Sequence, residues 1–141
     1  MAYDSSVGEL HRGCYACGER EDGIGLEFIA NADGVTAEWF CDERYASYPG
    51  IIHGGITATI LDSAMTNCLL MKGIVAVTAE LIVRYHEPLK IGRTATVNAV
   101  ITDARPPLLR MEAEILQDGI IRAKAHAKFM QTDAWMEKDN V

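Results

Sequence analysis

The sequence is short of cations. It holds 13 lysines and arginines against 20 aspartates and glutamates, for a net charge of −7 and a pI near 5.0. That balance argues against general binding to nucleic acid or to an anionic membrane. No apolar run reaches the length of a membrane span. No secretory leader precedes the first charged residues, so a cytoplasmic location is the expectation. A second Cys-x-x-Cys is also missing, and the four cysteines read as thiols, not as a disulfide framework.

What is present suits one domain. The chain has 141 residues, 49% of them hydrophobic, enough for a core of its own, with loose ends expected at 1–12 and 132–141. One stretch stands apart from the rest. Pro49-Gly50-Ile51-Ile52-His53-Gly54-Gly55 breaks the preceding chain, and from Ile56 to Met71 nearly every residue is apolar or small. A helix greasy on all sides is a buried helix. Lys72-Gly73 closes it with a cation and a glycine cap. Cys68 falls inside it and reads as core.

Two features of this helix point to chemistry. Gly54 and Gly55 sit in the first turn, where N–H groups lack intrahelical partners and a ligand oxygen can approach closely. Asp62 sits two turns deeper, where an uncompensated charge is expensive. Tight packing and a local backbone bond would account for either feature alone. Together, an anion-stabilising helix end and a buried carboxylate are what hydrolysis of a thioester requires. Eight residues of helix separate the two groups by roughly 12 Å, too far for one carbonyl to touch both. Two antiparallel copies across a two-fold axis would join Gly54 of one with Asp62 of the other. An active site here is therefore expected to be shared, and a monomer inactive.

Elsewhere the period is two. Ile24, Leu26 and Phe28 alternate with Gly25, Glu27 and Ile29, and after an Asn31-Ala32-Asp33-Gly34 turn Val35, Ala37 and Trp39 alternate in their turn, which reads as a hairpin. Cys41 to Tyr48 reads as irregular. Beyond Gly73, Val75, Val77, Ala79, Leu81, Val83 and Tyr85 share one strand face, with Thr78, Glu80, Arg84 and His86 on the other. Three more strands follow, centred on Val97, Met111 and Ala125, with Asp118-Gly119 a tight turn between the last two. Their inner faces carry small residues (Ala95, Ala99, Ala113, Ala123, Ala125, Ala127), which lets a curved sheet close on the helix. The expected class is α+β, a bent antiparallel sheet of five to six strands around one long helix.

His11 and the pair Cys14 and Cys17 have the spacing of metal ligands or a redox motif. Cys41 is the one further cysteine that could complete a metal site, and a reduced structural pair at a tight turn is the expected reading, with no metal.

With these residues in place the chain resembles the hotdog-fold acyl-CoA thioesterases, in the branch that includes phenylacetyl-CoA thioesterases. The resemblance covers about residues 14–131. It rests on Gly50-Ile51-Ile52-His53-Gly54-Gly55, on Asp62 nine residues after the histidine, on Val77 through Pro88, and on the opening Cys14-Tyr15-Ala16-Cys17-Gly18 with Gly25-Leu26. It implies hydrolysis of a small or medium acyl- or aryl-acyl-CoA, with coenzyme A as part of the substrate and no separate cofactor. It also implies a homodimer, or a dimer of dimers. By the same resemblance the Gly54 N–H is an oxyanion donor and Asp62 of the other subunit is the carboxylate that activates water or attacks directly. His53 helps arrange the site, and Thr78 holds water, although the strand period puts Thr78 on the polar face. Gly55 belongs to the substrate-binding surface. Many relatives have asparagine where Ser47 stands, and the shorter serine is not counted as catalytic. Lys90, Arg93, Arg105 and Arg110 flank turns where coenzyme A phosphates could meet a cation, Lys90 and Arg93 foremost. A 3-hydroxyacyl-thioester hydratase or dehydratase and a non-catalytic acyl-CoA-binding module are the alternatives that share this fold.

Overall fold

The helix forms where the apolar run demands it. In the computed structural model, which describes residues 9–133, α1 spans Gly54–Leu70. Ile60, Leu61, Ala64, Met65, Cys68 and Leu69 are at most 1% exposed, so the helix is buried on most of its circumference. Each large apolar side chain so buried contributes about 1.5–3 kcal/mol. Gly73 ends the exit turn with a φ of +74°, which favours glycine. No described helix is long and apolar enough to cross a membrane.

Six antiparallel strands cover α1: β1 (Ile29–Ala30), β2 (Gly34–Phe40), β3 (Ala76–Tyr85), β4 (Thr94–Arg105), β5 (Leu108–Gln117) and β6 (Ile120–Gln131). Their order in the sheet is β1-β2-β4-β5-β6-β3. The strand that leaves the helix therefore lies at the edge of the sheet. The small residues of the inner faces (Ala95, Ala99, Ala113, Ala123, Ala125, Ala127) are all buried, and they let the sheet approach α1 closely.

Three expectations need correction. Ile24, Leu26 and Phe28 are buried as their alternation predicts, but only Ile29 and Ala30 join the ladder with β2. The segment before them is held by other bonds: Leu26 N–H to the Ala16 carbonyl, Trp39 Nε1 to the Ile24 carbonyl and Tyr45 Oη to the Gly23 carbonyl. Cys41–Tyr48 includes a short 3-10 turn, Glu43–Tyr45, capped by the Asp42 carboxylate. Arg122 lies in β6 where the period predicts a solvated side chain, yet it is 2% exposed, bonded to the Glu87 and Asp118 carboxylates and the Gln117 carbonyl. A buried guanidinium is tolerable because those acceptors meet it. Residues 1–8 and 134–141 of the expected loose ends lie outside the described residues.

Candidate active site

The N-terminal end of α1 is built by His53. Its backbone is extended, and its ring Nδ1 accepts from the Gly55 N–H at 2.8 Å. The ring proton therefore sits on Nε2, on an exposed side chain at the helix mouth. Gly55 has a steric reason to be glycine, since a Cβ there would lie 3.0 Å from the His53 ring. Its N–H is already engaged, so towards a ligand Gly55 offers closeness and not a donor.

Gly54 differs. Its carbonyl accepts from the Tyr85 hydroxyl at 2.6 Å, while its N–H has no acceptor among the described residues. An unpaired, exposed N–H at the positive end of a helix is suited to a developing oxyanion. Beside it runs a groove lined by Ser47, Tyr48, Ile51, Thr57, Tyr85 and Leu89, largely apolar. Ser47 thus reaches the groove, although its own N–H serves the Ile51 carbonyl.

Asp62 lies two turns further on, half-buried, and its Oδ1 accepts from the Thr78 hydroxyl at 2.7 Å. Strict alternation points Thr78 away from the helix. A β-bulge between Thr78 and Glu80, seen as a shift in the β3–β6 register, reverses the phase of the strand there. Before the bulge Ala76 and Thr78 face α1; after it Leu81 and Val83 do, and Val77 is turned to solvent instead of the core. Burial raises the Asp62 pKa above the ordinary carboxylate value, against the Thr78 hydrogen bond and the nearby His11, both of which lower it. A carboxylate so placed is a better base than one in water.

Behind Asp62 stands the segment 9–26. His11, in the 3-10 turn Glu9–His11, is half-buried, and its Nδ1 lies 3.5 Å from Cys17 Sγ. Its pKa is lowered by burial and partly restored by Asp62. Burial pushes the Cys17 thiol up to about 11, so it is no nucleophile at neutral pH in the chain alone. Cys41, the sequence's candidate for a fourth metal ligand, is elsewhere: it is buried and accepts from Gln117 Nε2. Reading the sequence also missed His11 as a neighbour of Asp62, and Tyr85 as the residue over Gly54. Neither has a local signal, since both contacts join distant parts of the chain.

The model of the thioesterase superfamily matches residues 49–123, from the turn before His53 through Gly54, Asp62 and Thr78 into β6. The chain belongs to the thioesterase superfamily. Its helix wrapped by a six-stranded antiparallel sheet is the hotdog fold. Among relatives of this superfamily chain, mouse acyl-coenzyme A thioesterase THEM4 is 27% identical over 119 residues, 80% of this chain and 51% of that protein. The chain thus spans about half the length of the curated relatives it matches. Two solved structures share the fold. One is the thioesterase superfamily protein RHA08564, with a TM-score of 0.79, 22% identity and coverage of 84% of this chain and 63% of that one. The other is smu.793 of Streptococcus mutans bound to acetyl CoA, with a TM-score of 0.71, 19% identity and coverage of 76% and 88%.

The two foremost basic candidates differ in availability. Arg93 is bound to the Asp118 carboxylate. Lys90 is exposed and pairs through its backbone with Ile51, next to the groove at the helix mouth.

Proposed function

We propose that this protein hydrolyses acyl-coenzyme A thioesters at a site that two subunits share. The observation that carries this reading is the 2.7 Å bond between Thr78 and Asp62, which fixes a half-buried carboxylate on α1 beside an edge strand. The Gly54 N–H of one subunit would receive the thioester carbonyl oxygen, with the exposed His53 Nε2–H beside it. Asp62 of the other subunit would take a proton from water as the water oxygen attacks the acyl carbon. The carbon–sulfur bond then breaks, and the coenzyme A thiolate leaves and is protonated. Direct attack by Asp62, through an anhydride that water opens, uses the same geometry.

Sharing is supported by the edge position of β3. Its outer side has no strand partner among the described residues, and Val77, Ile82 and Tyr85 expose apolar surface along it. An edge of ten residues that exposes three large apolar side chains invites a second copy. Antiparallel pairing of two β3 strands would set the two α1 helices antiparallel on one side of the joined sheet. The acyl group would lie in the groove beside Gly54, and Lys90 would meet a coenzyme A phosphate. The test is steady-state hydrolysis of an acyl-CoA panel by wild type, Asp62→Asn and Gly54→Pro, with mass measured in solution. Turnover that survives in both variants would rule the site out, and tight binding without turnover by wild type would make it a binding module.

A further inference from the structure

We propose that His11, Cys14 and Cys17 form a binding site for a thiophilic divalent cation, zinc by its chemistry, which staples the N-terminal segment to α1 behind Asp62. The ring nitrogen and the two sulfurs all lie within 4.8 Å of one another, and all three residues are half-buried. Two ligands of one tetrahedral zinc, with bonds near 2.0 and 2.3 Å, are roughly 3.5 Å apart for a nitrogen–sulfur pair. His11 Nδ1 and Cys17 Sγ are 3.5 Å apart.

The loop that carries the three residues is held by a set of backbone hydrogen bonds. Cys14 N–H bonds the His11 carbonyl, Gly18 N–H the Cys14 carbonyl and Glu19 N–H the Arg12 carbonyl. A Cβ at Gly18 would come within 2.5 Å of the Arg12 oxygen and the Cys14 nitrogen, so only glycine can follow Cys17 here. The Ile24 and Leu26 N–H groups then bond the Tyr15 and Ala16 carbonyls and hold the loop down.

A second observation comes from the helix side. Cys17 faces Ser63 and Asn67 of α1. Asn67 is 0% exposed; its Nδ2 donates to the Ser63 carbonyl, yet its Oδ1 has no hydrogen-bond partner among the described residues. A buried carbonyl oxygen left without a donor is uncommon and points to a water or ion. Three protein ligands leave a tetrahedral cation one position for water, and a proton of that water would satisfy Asn67 Oδ1. Two thiolates cancel the charge of the dication, so the staple adds no net charge beside Asp62. The set Cys2His replaces the one that adds Cys41, which lies elsewhere.

The proposal does not depend on the thioesterase reading. The test is metal analysis of untagged protein expressed with zinc and purified without chelator, followed by exchange with Co(II). About one zinc per chain is expected, with a thiolate-to-cobalt charge-transfer band and tetrahedral d–d bands. Cys14→Ser and Cys17→Ser should lose the metal and the band. His11→Gln, at a half-buried position in a short turn, should keep the fold but surrender zinc to a chelator at least tenfold faster. Wild type that holds under about a tenth of a metal per chain after reloading with zinc, and gives no cobalt–thiolate band, overturns the site and leaves a thiol–imidazole hydrogen bond in its place. Zinc retained equally by both serine variants overturns it as well.

Discussion

β5 and β3 are both ten residues long, and they teach opposite lessons. In β5, Leu109, Met111, Ala113 and Ile115 point inward without interruption and are all buried between neighbours on both sides. In β3 the phase breaks at a bulge, one side has no strand neighbour among the described residues, and apolar residues meet solvent. The regular strand supplies core. The irregular one delivers Thr78 to Asp62 and Tyr85 to Gly54. Departures from periodicity mark where a fold is committed to something other than its own stability.

That contrast can be broken by substitution, and the largest effect is expected on chemistry. Asp62→Asn should lower kcat/KM by about 10²–10⁴-fold, because an amide cannot take the proton. The same change should hold or raise the melting temperature at neutral pH. Burial raises the Asp62 pKa, so the stability linked to its neutral form is present below the unfolded value and lost as pH rises through the folded one. Asparagine carries no such penalty, and the gap between variant and wild type should close in acid. Calorimetry across pH checks this.

Gly54→Pro should cost about 10²–10³-fold in kcat, the usual cost of losing one oxyanion donor. Proline fits the first helical position, and the extended backbone of His53 (φ −57°, ψ 131°) suits a following proline. The helix should therefore survive, as circular dichroism would report. Ile115→Ala in β5 should act in the other direction, removing about 2–5 kcal/mol of stability in denaturant titration while folded protein keeps its kcat. A loss of kcat there as large as at Asp62 would dissolve the distinction between the two strands.

The smallest effect is expected at the bulge. Thr78→Val removes a hydrogen bond to a charged group, worth about 1.5–3 kcal/mol. Since that bond lowers the Asp62 pKa, its loss should raise it further. The acid limb of the kcat/KM–pH profile should then move to higher pH. An unmoved profile would mean that Thr78 is structural only.

Much of this was legible in the residues themselves. The apolar run after Gly54-Gly55, the alternation of the late strands and the small residues facing the helix fix a curved sheet around one helix, because burial periodicity is a local property. The register of β3 was not legible, since a bulge after Thr78 follows from pairing with β6 and not from the local sequence. Arg122 reads as solvated until Glu87, 35 residues earlier, meets it. The His11–Cys17 contact was half visible as a spacing; its place behind Asp62 follows only from packing of the N-terminal segment on α1.

The measurement that bears most directly on a shared site is complementation between two inactive chains. Asp62→Asn and Gly54→Pro subunits would be co-expressed or refolded together in equal amounts, and mixed dimers counted by native mass spectrometry. Random pairing makes half the dimers mixed, each with one intact centre of two, so activity should return to about a quarter of the wild-type level. Mixed dimers that form and remain as inactive as their parents would mean that no centre combines Gly54 of one subunit with Asp62 of the other, and would contradict the account.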